Sequence, residues 1–291
     1  MYILYSIFED LTTPNFPAFQ NKPRHRAPAQ SIGWSRQKAR GEICMRILIL
    51  GQGKRQEALR HLALSRGHSL PESGPWDAVA LPLPRSEIAE EAADQLPRGQ
   101  KVICGMTDET LERLAKKRGW TLLRILEDER YLQANACLTA EGALQRCMNS
   151  TEKAVQDMNC LVIGFGRIGK ALTGMLRGLG AGVVVAARRK ESRAEAGPDA
   201  ISMEALPNAL QWADAIFNTV PHPILGKALL ARVRPEALLF ELASAPYGID
   251  QKAAEELKLH YFLESGLPGR CCPVSAAGAV LDYLEREAQH E

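Results

Sequence analysis

The sequence predicts an α/β protein of two parallel-sheet domains, closed by a last helix that packs back across their junction. Three observations carry this expectation. From Met45 onward, short apolar runs alternate with helical patterns over about ninety residues, the pattern of parallel strands joined by crossover helices. A second alternation starts at Cys160-Leu161-Val162-Ile163 and passes directly into Gly164-Phe165-Gly166-Arg167-Ile168-Gly169. An Ala-rich stretch from Ser275 to Glu287, with Leu281 and Leu284 on one face, ends the chain. A length of 291 residues gives room for two cores of ordinary size.

Residues 1–44 carry four prolines and no periodicity, and the brief apolar start leads to Glu9-Asp10 without a basic region before it. They read as a disordered or non-native leader, with translation expected to start at Met45; Arg40-Gly41-Glu42 is encodable by a purine-rich, ribosome-binding-like stretch. The first domain, residues 45–134, has strands at Arg46–Leu50, Trp76–Pro82, Lys101–Cys104 and Thr121–Ile125, with helices to Arg66, at about 86–96 and at 108–118. That order is flavodoxin-like. A linking helix follows over 135–155, with Ala143, Leu144, Cys147 and Met148 on its apolar face. Residues 156–270 form the second domain, whose further strands are Ala181–Ala187, Ala215–Val220, Leu238–Leu242 and His260–Leu263; residues 271–291 are the returning helix.

The strand, glycine loop and helix at 160–178 are what make the second domain a Rossmann domain. Gly164 allows the tight turn, Gly166 lets the backbone approach a pyrophosphate, and Gly169 permits close helix–strand packing, while the helix start offers free N–H groups. An ordinary glycine-rich bend is the competing account, and the flanking strand and helix argue against it. The next strand ends in Arg188-Arg189-Lys190, where an NAD-preferring site carries an acidic residue. Planar guanidinium forks suit a 2′-phosphate. NADP is therefore expected, with NAD possible; a solvated basic turn is the alternative.

Composition removes several function classes. Hydrophobic residues make up 46% and charged residues 24%, as in a globular protein. The net charge of +2 gives no reason to expect a nucleic-acid or membrane partner, and there is no 18-residue apolar run for a membrane span. Seven cysteines, odd in number and without C-x-x-C spacing, read as reduced thiols of a cytoplasmic protein, and no metal site is expected.

Ligands of open α/β sheets bind beyond the carboxyl ends of the strands. That rule selects Asn218-Thr219-Val220-Pro221-His222-Pro223 and Ala243-Ser244-Ala245-Pro246 from the second domain, both expected near the nicotinamide and its ribose. It selects Gln52, Lys54, Arg55 and the loop around Pro82 from the first, with Asn135, Thr139 and Glu141 from the linking helix. His222, Glu141 and Ser244 are the candidate catalytic groups. His222 between two prolines is equally well a loop former, Ser244 a turn residue, and Glu141 a first-turn residue complementing the helix dipole. Lys54 and Arg55 sit against the positive end of their own helix, which an anionic ligand or simple solvent exposure would explain.

Together these segments resemble the A subunit of dipicolinate synthase, from Met45 to the C-terminus. The resemblance lies in Gly51–Gln56, Asn135-Ala136-Cys137-Leu138-Thr139-Ala140-Glu141-Gly142, Gly164–Gly169, Phe217-Asn218-Thr219-Val220-Pro221, Leu242-Ala243-Ser244-Ala245-Pro246-Tyr247-Gly248-Ile249-Asp250, and Gly266-Leu267-Pro268-Gly269 with Pro273. It implies an NADP-linked oxidation of dihydrodipicolinate in sporulation, in partnership with a flavoprotein-like B subunit. It also implies a dicarboxylate site using Lys54, Arg55, Asn135, Thr139 and Arg270, with Glu141 or His222 as base. Three places depart from the family: Gly51-Gln52-Gly53-Lys54 stands where the family has Gly-Gly-Asp before Arg55-Gln56, Ala245 replaces a lysine, and Tyr247 a glycine. A homodimer is the default assembly for such chains. The D-2-hydroxyacid dehydrogenases share the plan, but their arginine and late histidine are missing from Ala243-Ser244 and Gly266–Gly269. A non-catalytic NADPH-binding sensor or scaffold is the other alternative.

Overall fold

The computed structural model describes residues 44–289. The leader expected over residues 1–44 lies, except for Cys44, outside them. The first lobe runs β1 (Ile47–Ile49), α1 (Lys54–Ser65), β2 (Ala78–Ala80), β3 (Arg85–Ser86), α2 (Glu90–Asp94), β4 (Lys101–Cys104), β5 (Met106–Thr107), α3 (Glu109–Arg118) and β6 (Thr121–Arg124). β1, β2, β4 and β6 lie side by side in that order as a parallel sheet, and β3 pairs with β5 beside it.

A fifth strand position has shrunk to one parallel bridge, Arg46 to Ser69. Ile47 N–H donates to the Ser69 carbonyl and Ser69 N–H to the Met45 carbonyl, both at 2.9 Å. Counting this bridge, the chain order across the sheet is 2-1-3-4-5, the flavodoxin-like order, and the winding reverses between β1 and β2. Alternate residues face opposite sides. Ile47, Ile49, Ala78, Ala80 and Ile103 pack with α1 residues Leu59 and Ala63, whereas Val79, Val102 and Cys104 pack with Leu111 and Leu114 of α3.

α4 (Glu129–Met148) leads from the first lobe to the second. It begins at Glu129, not at Asn135, because Asp128 caps it: the carboxylate accepts the Tyr131 N–H at 2.6 Å. Glu141 consequently sits in the interior of a helix, and its reading as a first-turn residue is corrected.

The second lobe contains β7 (Asn159–Ile163), α5 (Arg167–Gly178), β8 (Gly182–Ala186), α6 (Lys190–Ala196), β9 (Ala200–Ile201), α7 (Leu206–Trp212), β10 (Ala215–Asn218), α8 (Lys227–Leu230), β11 (Leu238–Glu241), α9 (Gln251–Glu256) and β12 (His260–Leu263). Its parallel sheet has the order β12-β11-β10-β7-β8-β9, the doubly wound Rossmann arrangement, with the reversal between β7 and β10. Cys160 to Ile163 are completely buried, as a central parallel strand covered on both faces must be. Phe217, Phe240 and Phe262 stack across three adjacent strands with ring centroids 5.0 Å apart at each step.

The chain ends in α10 (Leu267–Cys271) and α11 (Pro273–Gln289). α11 returns to the first lobe as expected: Ala277, Val280, Leu281 and Leu284 share a core with β1 and α1. Arg66 pairs with Asp282 at 2.6 Å and Glu285 at 2.9 Å, and Arg286 reaches Asp128 at 2.8 Å. All seven cysteines are unbridged. Burial pushes the thiols of Cys104, Cys147 and Cys160 up to about 11, 12 and 12, so all three are inert apolar fillers. Among the described residues no helix is long and apolar enough to cross a membrane, and no cluster of three or more His, Cys, Asp or Glu side chains is placed to hold a metal.

Candidate functional site

The reversal of strand order in the second sheet opens a crevice between the ends of β7 and β10, and the glycine loop lines it. Gly164 adopts φ +96°, and a Cβ there would lie 2.5 Å from Thr219 Oγ1 and 2.6 Å from Val220 Cγ2. A side chain at Gly169 would collide with the Gly164 carbonyl oxygen, so α5 starts hard against the loop. Nothing crowds Gly166, whose backbone is open to the crevice. The cavity measures about 530 Å³ and brings together Gly164, Phe165, Gly166, Arg188, Arg189, Val220, Pro221 and His222. Ser192, from the start of α6, completes the wall beside Arg188 and was not singled out from the sequence. Both arginines are exposed, and among the described residues no acidic side chain pairs with either. These features fit a nicotinamide dinucleotide: a bare backbone arc at a helix start for the pyrophosphate, with two exposed guanidinium groups beyond the next strand.

Other expected contributors behave differently. Thr219 donates to the Ile163 carbonyl at 2.9 Å and so shapes the loop. Ile168 packs into the core behind it. Arg167 turns away from the loop and forms a two-pronged ion pair with Glu129, at 2.8 and 2.5 Å. Ala243 is buried and Ser244 exposed on the loop after β11.

The first lobe contributes an unusual cation. Arg55, the second residue of α1, is only 7% exposed, and its Nε is buried with no hydrogen-bond partner. Its guanidinium lies flat against α10: a Cβ on Gly269 would be 3.1 Å from Nε and from one terminal nitrogen. No carboxylate neutralises it among the described residues. Lys54, by contrast, is exposed. Buried cations are almost always paired, so an unpartnered one at a helix N-terminus is suited to receive an anion. Tyr131, buried at the start of α4, is the neighbouring phenol; burial pushes its pKa up and the Arg55 charge partly offsets that.

α10 connects this cation to the second lobe. It follows directly on β12, and Glu264 between them is held by Arg146 Nε at 2.6 Å and by Arg270. Arg270 also donates to the Ser265 carbonyl at 3.2 Å, so its guanidinium is already engaged. Leu267 packs where Gly142 of α4 leaves room. On α4, Thr139 spends its hydroxyl on the Asn135 carbonyl at 2.7 Å, and Glu141 accepts from the Cys272 thiol at 3.7 Å. Burial, then the Glu141 charge, pushes that thiol up to about 11. The structure thus gathers Gly164, Phe165, Gly166, Arg188, Arg189, Val220 and Pro221 in one crevice, leaves Arg167, Thr219, Ala243 and Ser244 out of its lining, and isolates Arg55 as a buried cation; Glu141 and Arg270 pair with other protein groups.

At the base of the site Asn218, selected from the sequence, faces Glu241, which was not. Asn218 ends β10 and Glu241 ends β11, opposite one another in register, and both are completely buried. The one sequence signal of Glu241 is a polar residue closing an otherwise apolar parallel strand.

Comparison with known proteins agrees with this geometry. Residues 124–260 match the family model described as D-isomer specific 2-hydroxyacid dehydrogenase, NAD binding domain. The A subunit of dipicolinate synthase from Bacillus subtilis (strain 168) is 27% identical over 202 residues, which is 68% of each chain. The crystal structure of the A subunit of dipicolinate synthase from Bacillus halodurans superposes with a TM-score of 0.73 at 24% identity, covering 83% of this chain and 96% of that one. The corresponding Bacillus subtilis structure gives a TM-score of 0.72 at 22% identity, covering 85% and 97%. The chain is therefore similar to the A subunit of dipicolinate synthase in sequence and fold, and its similarity to that subunit and to the 2-hydroxyacid dehydrogenase NAD-binding domain supports an NAD(P)-dependent oxidoreductase.

Proposed function

We propose that this oxidoreductase oxidises a cyclic dicarboxylate of the dihydrodipicolinate type to its aromatic product, with NADP as acceptor and a flavoprotein-like B subunit for a partner. The observation that carries the reading is Arg55, a buried cation with no partner among the described residues, lying against Gly269 of α10. A carboxylate accepts two parallel N–H bonds from such a fork. The bound nicotinamide supplies the hydride acceptor. Loss of one hydride and one proton from the dihydropyridine ring gives the pyridine, so the protein's tasks are to orient the ring and take the proton.

Arg55 and the free N–H groups at the start of α1 would hold one carboxylate. Lys54, Asn135, Thr139 and Arg270 remain candidates for the second, although the bonds of Thr139 and Arg270 within the protein favour Lys54 and Asn135. Of the two candidate bases, His222 lines the crevice and Glu141 is turned to Cys272, which favours His222. Ser244, exposed on the loop after β11, is available to the same ring. Arg188 and Arg189 beside Ser192 would take the 2′-phosphate, and this favours NADP over NAD. The same reading carries over a cytoplasmic homodimer acting in sporulation.

The test follows NADPH absorbance as freshly formed dihydrodipicolinate is mixed with protein and NADP, with and without a B-type partner. Turnover in either mixture is expected. Tight NADPH binding with no turnover in both would favour the non-catalytic sensor, which the Ala245 and Tyr247 departures already suggest as the competitor.

A further inference from the structure

The carboxylate of Glu241 lies outside the chemistry just described, yet it is the most heavily bonded acidic group beneath the crevice. One oxygen accepts from Asn218 Nδ2 at 2.7 Å and from the Ala243 N–H at 3.0 Å. The other accepts from the N–H groups of Gly248 and Ile249, each at 2.8 Å. A carboxylate has about four acceptor sites, and here all are filled by donors. Asn218 is used as fully: its Nδ2 also donates to the Val220 carbonyl at 3.0 Å, and its Oδ1 accepts the Val220 N–H at 3.2 Å. The loop closes on the same stretch from above, with the Ile224 and Leu225 N–H groups donating to the Gly248 carbonyl at 2.9 Å.

We propose that Glu241, acting through Asn218, is a positioning residue for the nicotinamide end of the cofactor. This rests on the reading that the crevice takes a nicotinamide dinucleotide. Arg188 and Arg189 beyond β8 define the adenosine side, and the pyrophosphate belongs at the start of α5. The remaining end of the dinucleotide must then extend over β10 and β11, whose two exit loops are 219–225 and 242–250. Those loops are tied to each other through the Glu241–Asn218 pair.

The residue type is specific to the task. A glutamine in the same place keeps one acceptor oxygen and turns an NH₂ group toward N–H donors. Among the described residues no cation bonds to this carboxylate, so N–H groups stabilise its negative charge, and burial raises the carboxyl against their pull. A loop needing only closure would not require a charge at so costly a place.

The test compares two ligands on the full chain by calorimetry: NADPH, and 2′-phospho-ADP-ribose, which lacks the nicotinamide. In Glu241→Gln the affinity for NADPH is expected to fall roughly tenfold or more, while that for 2′-phospho-ADP-ribose stays within about twofold. Asn218→Ala, which spares the three backbone bonds to Glu241, should show the same split with smaller amplitude and remains informative if the first variant folds poorly. Equal weakening of both ligands, or no change in either, in a folded variant would overturn the proposal. Because no substrate is present, a wild-type protein that binds NADPH but does not turn over dihydrodipicolinate sinks the proposed reaction and leaves this inference standing. A wild-type protein that binds neither ligand overturns both.

Discussion

Replacing Arg55 by methionine separates a ligand-binding cation from a structural one, because the two roles move stability in opposite directions. Methionine keeps much of the aliphatic stem and removes the charged group that lies against Gly269. In the unliganded protein the buried, unpartnered Nε costs about 1–3 kcal/mol, the penalty for a buried unsatisfied donor. Arg55→Met should therefore raise the melting temperature, by about 2–4 °C for each kcal/mol in a chain of this size. Carboxylate binding moves the other way. Removing one member of a buried ion pair costs about 3–5 kcal/mol, roughly a hundred- to several-thousand-fold in affinity. The assay is a thermal melt with and without dipicolinate, the stable product, together with the KM for the dihydro compound. A higher melting point that dipicolinate no longer shifts is the expected result. A lower melting point with full protection by dipicolinate would show that Arg55 serves the fold and that the anion binds elsewhere.

The other predictions are narrower. Arg188→Asp should weaken NADP binding by about one to two orders of magnitude, the worth of a charge-assisted phosphate contact, and improve NAD binding; unchanged NADP affinity in a titration would remove Arg188 from the phosphate site. Gly269→Ala places a Cβ about 3.1 Å from the Arg55 guanidinium, so the substrate KM should rise while cofactor affinity holds; an unaltered KM would show that Arg55 has room to move. Gly164→Ala requires a strained φ of +96° and a clash with Thr219, so both dinucleotides should be lost in calorimetry; retained binding would mean that the loop rearranges. Glu285 and Asp214 are both costly by burial alone, yet the His68 hydrogen bond with Arg66 for one, and the Asn159 N–H with Lys153 and Arg234 for the other, hold their carboxyls below the ordinary range. Their stabilisation is present above that range and lost as pH falls through the lowered values. Melting temperature should thus be nearly level around neutrality and fall below about pH 4, less steeply in Glu285→Gln, which a pH series of melts checks.

How far the sequence disclosed this arrangement depended on whether one residue type was the sole physical solution. At Gly164 the backbone needs a positive φ and the space beside it is filled, so the glycine loop and its crevice were readable. The long central strands were readable because burial on both faces demands unbroken apolar runs. Ser69 was not, since a single bridge leaves no run to detect. The early start of α4 is written in Asp128-Glu129, an N-cap and an acidic first turn, but the apolar face from Ala143 onward is the stronger helical signal. α10 was hidden for another reason: Gly266-Leu267-Pro268-Gly269 has the composition of a turn, and proline at the opening of a helix reads the same way. Arg55 stood out because a cation against a helix's positive end needs an explanation, whereas its burial followed only from the contact with Gly269.

That contact also explains why a helix of five residues matters so much here. In each sheet the winding reverses at one place, between β1 and β2 in the first lobe and between β7 and β10 in the second, and each reversal opens a binding edge. The edges are useful for hydride transfer only if they face a common space. α10 leaves the second sheet directly after β12 and lies on the first residues of α1, with Glu264 pinned by Arg146 of the connecting helix at its root. The surface that buries the anion-seeking guanidinium of the first lobe therefore belongs to the lobe that carries the dinucleotide crevice. On the proposed function, separating the lobes would expose Arg55 to water and weaken its grip on a carboxylate, so that reading puts the tightest substrate recognition in the closed arrangement.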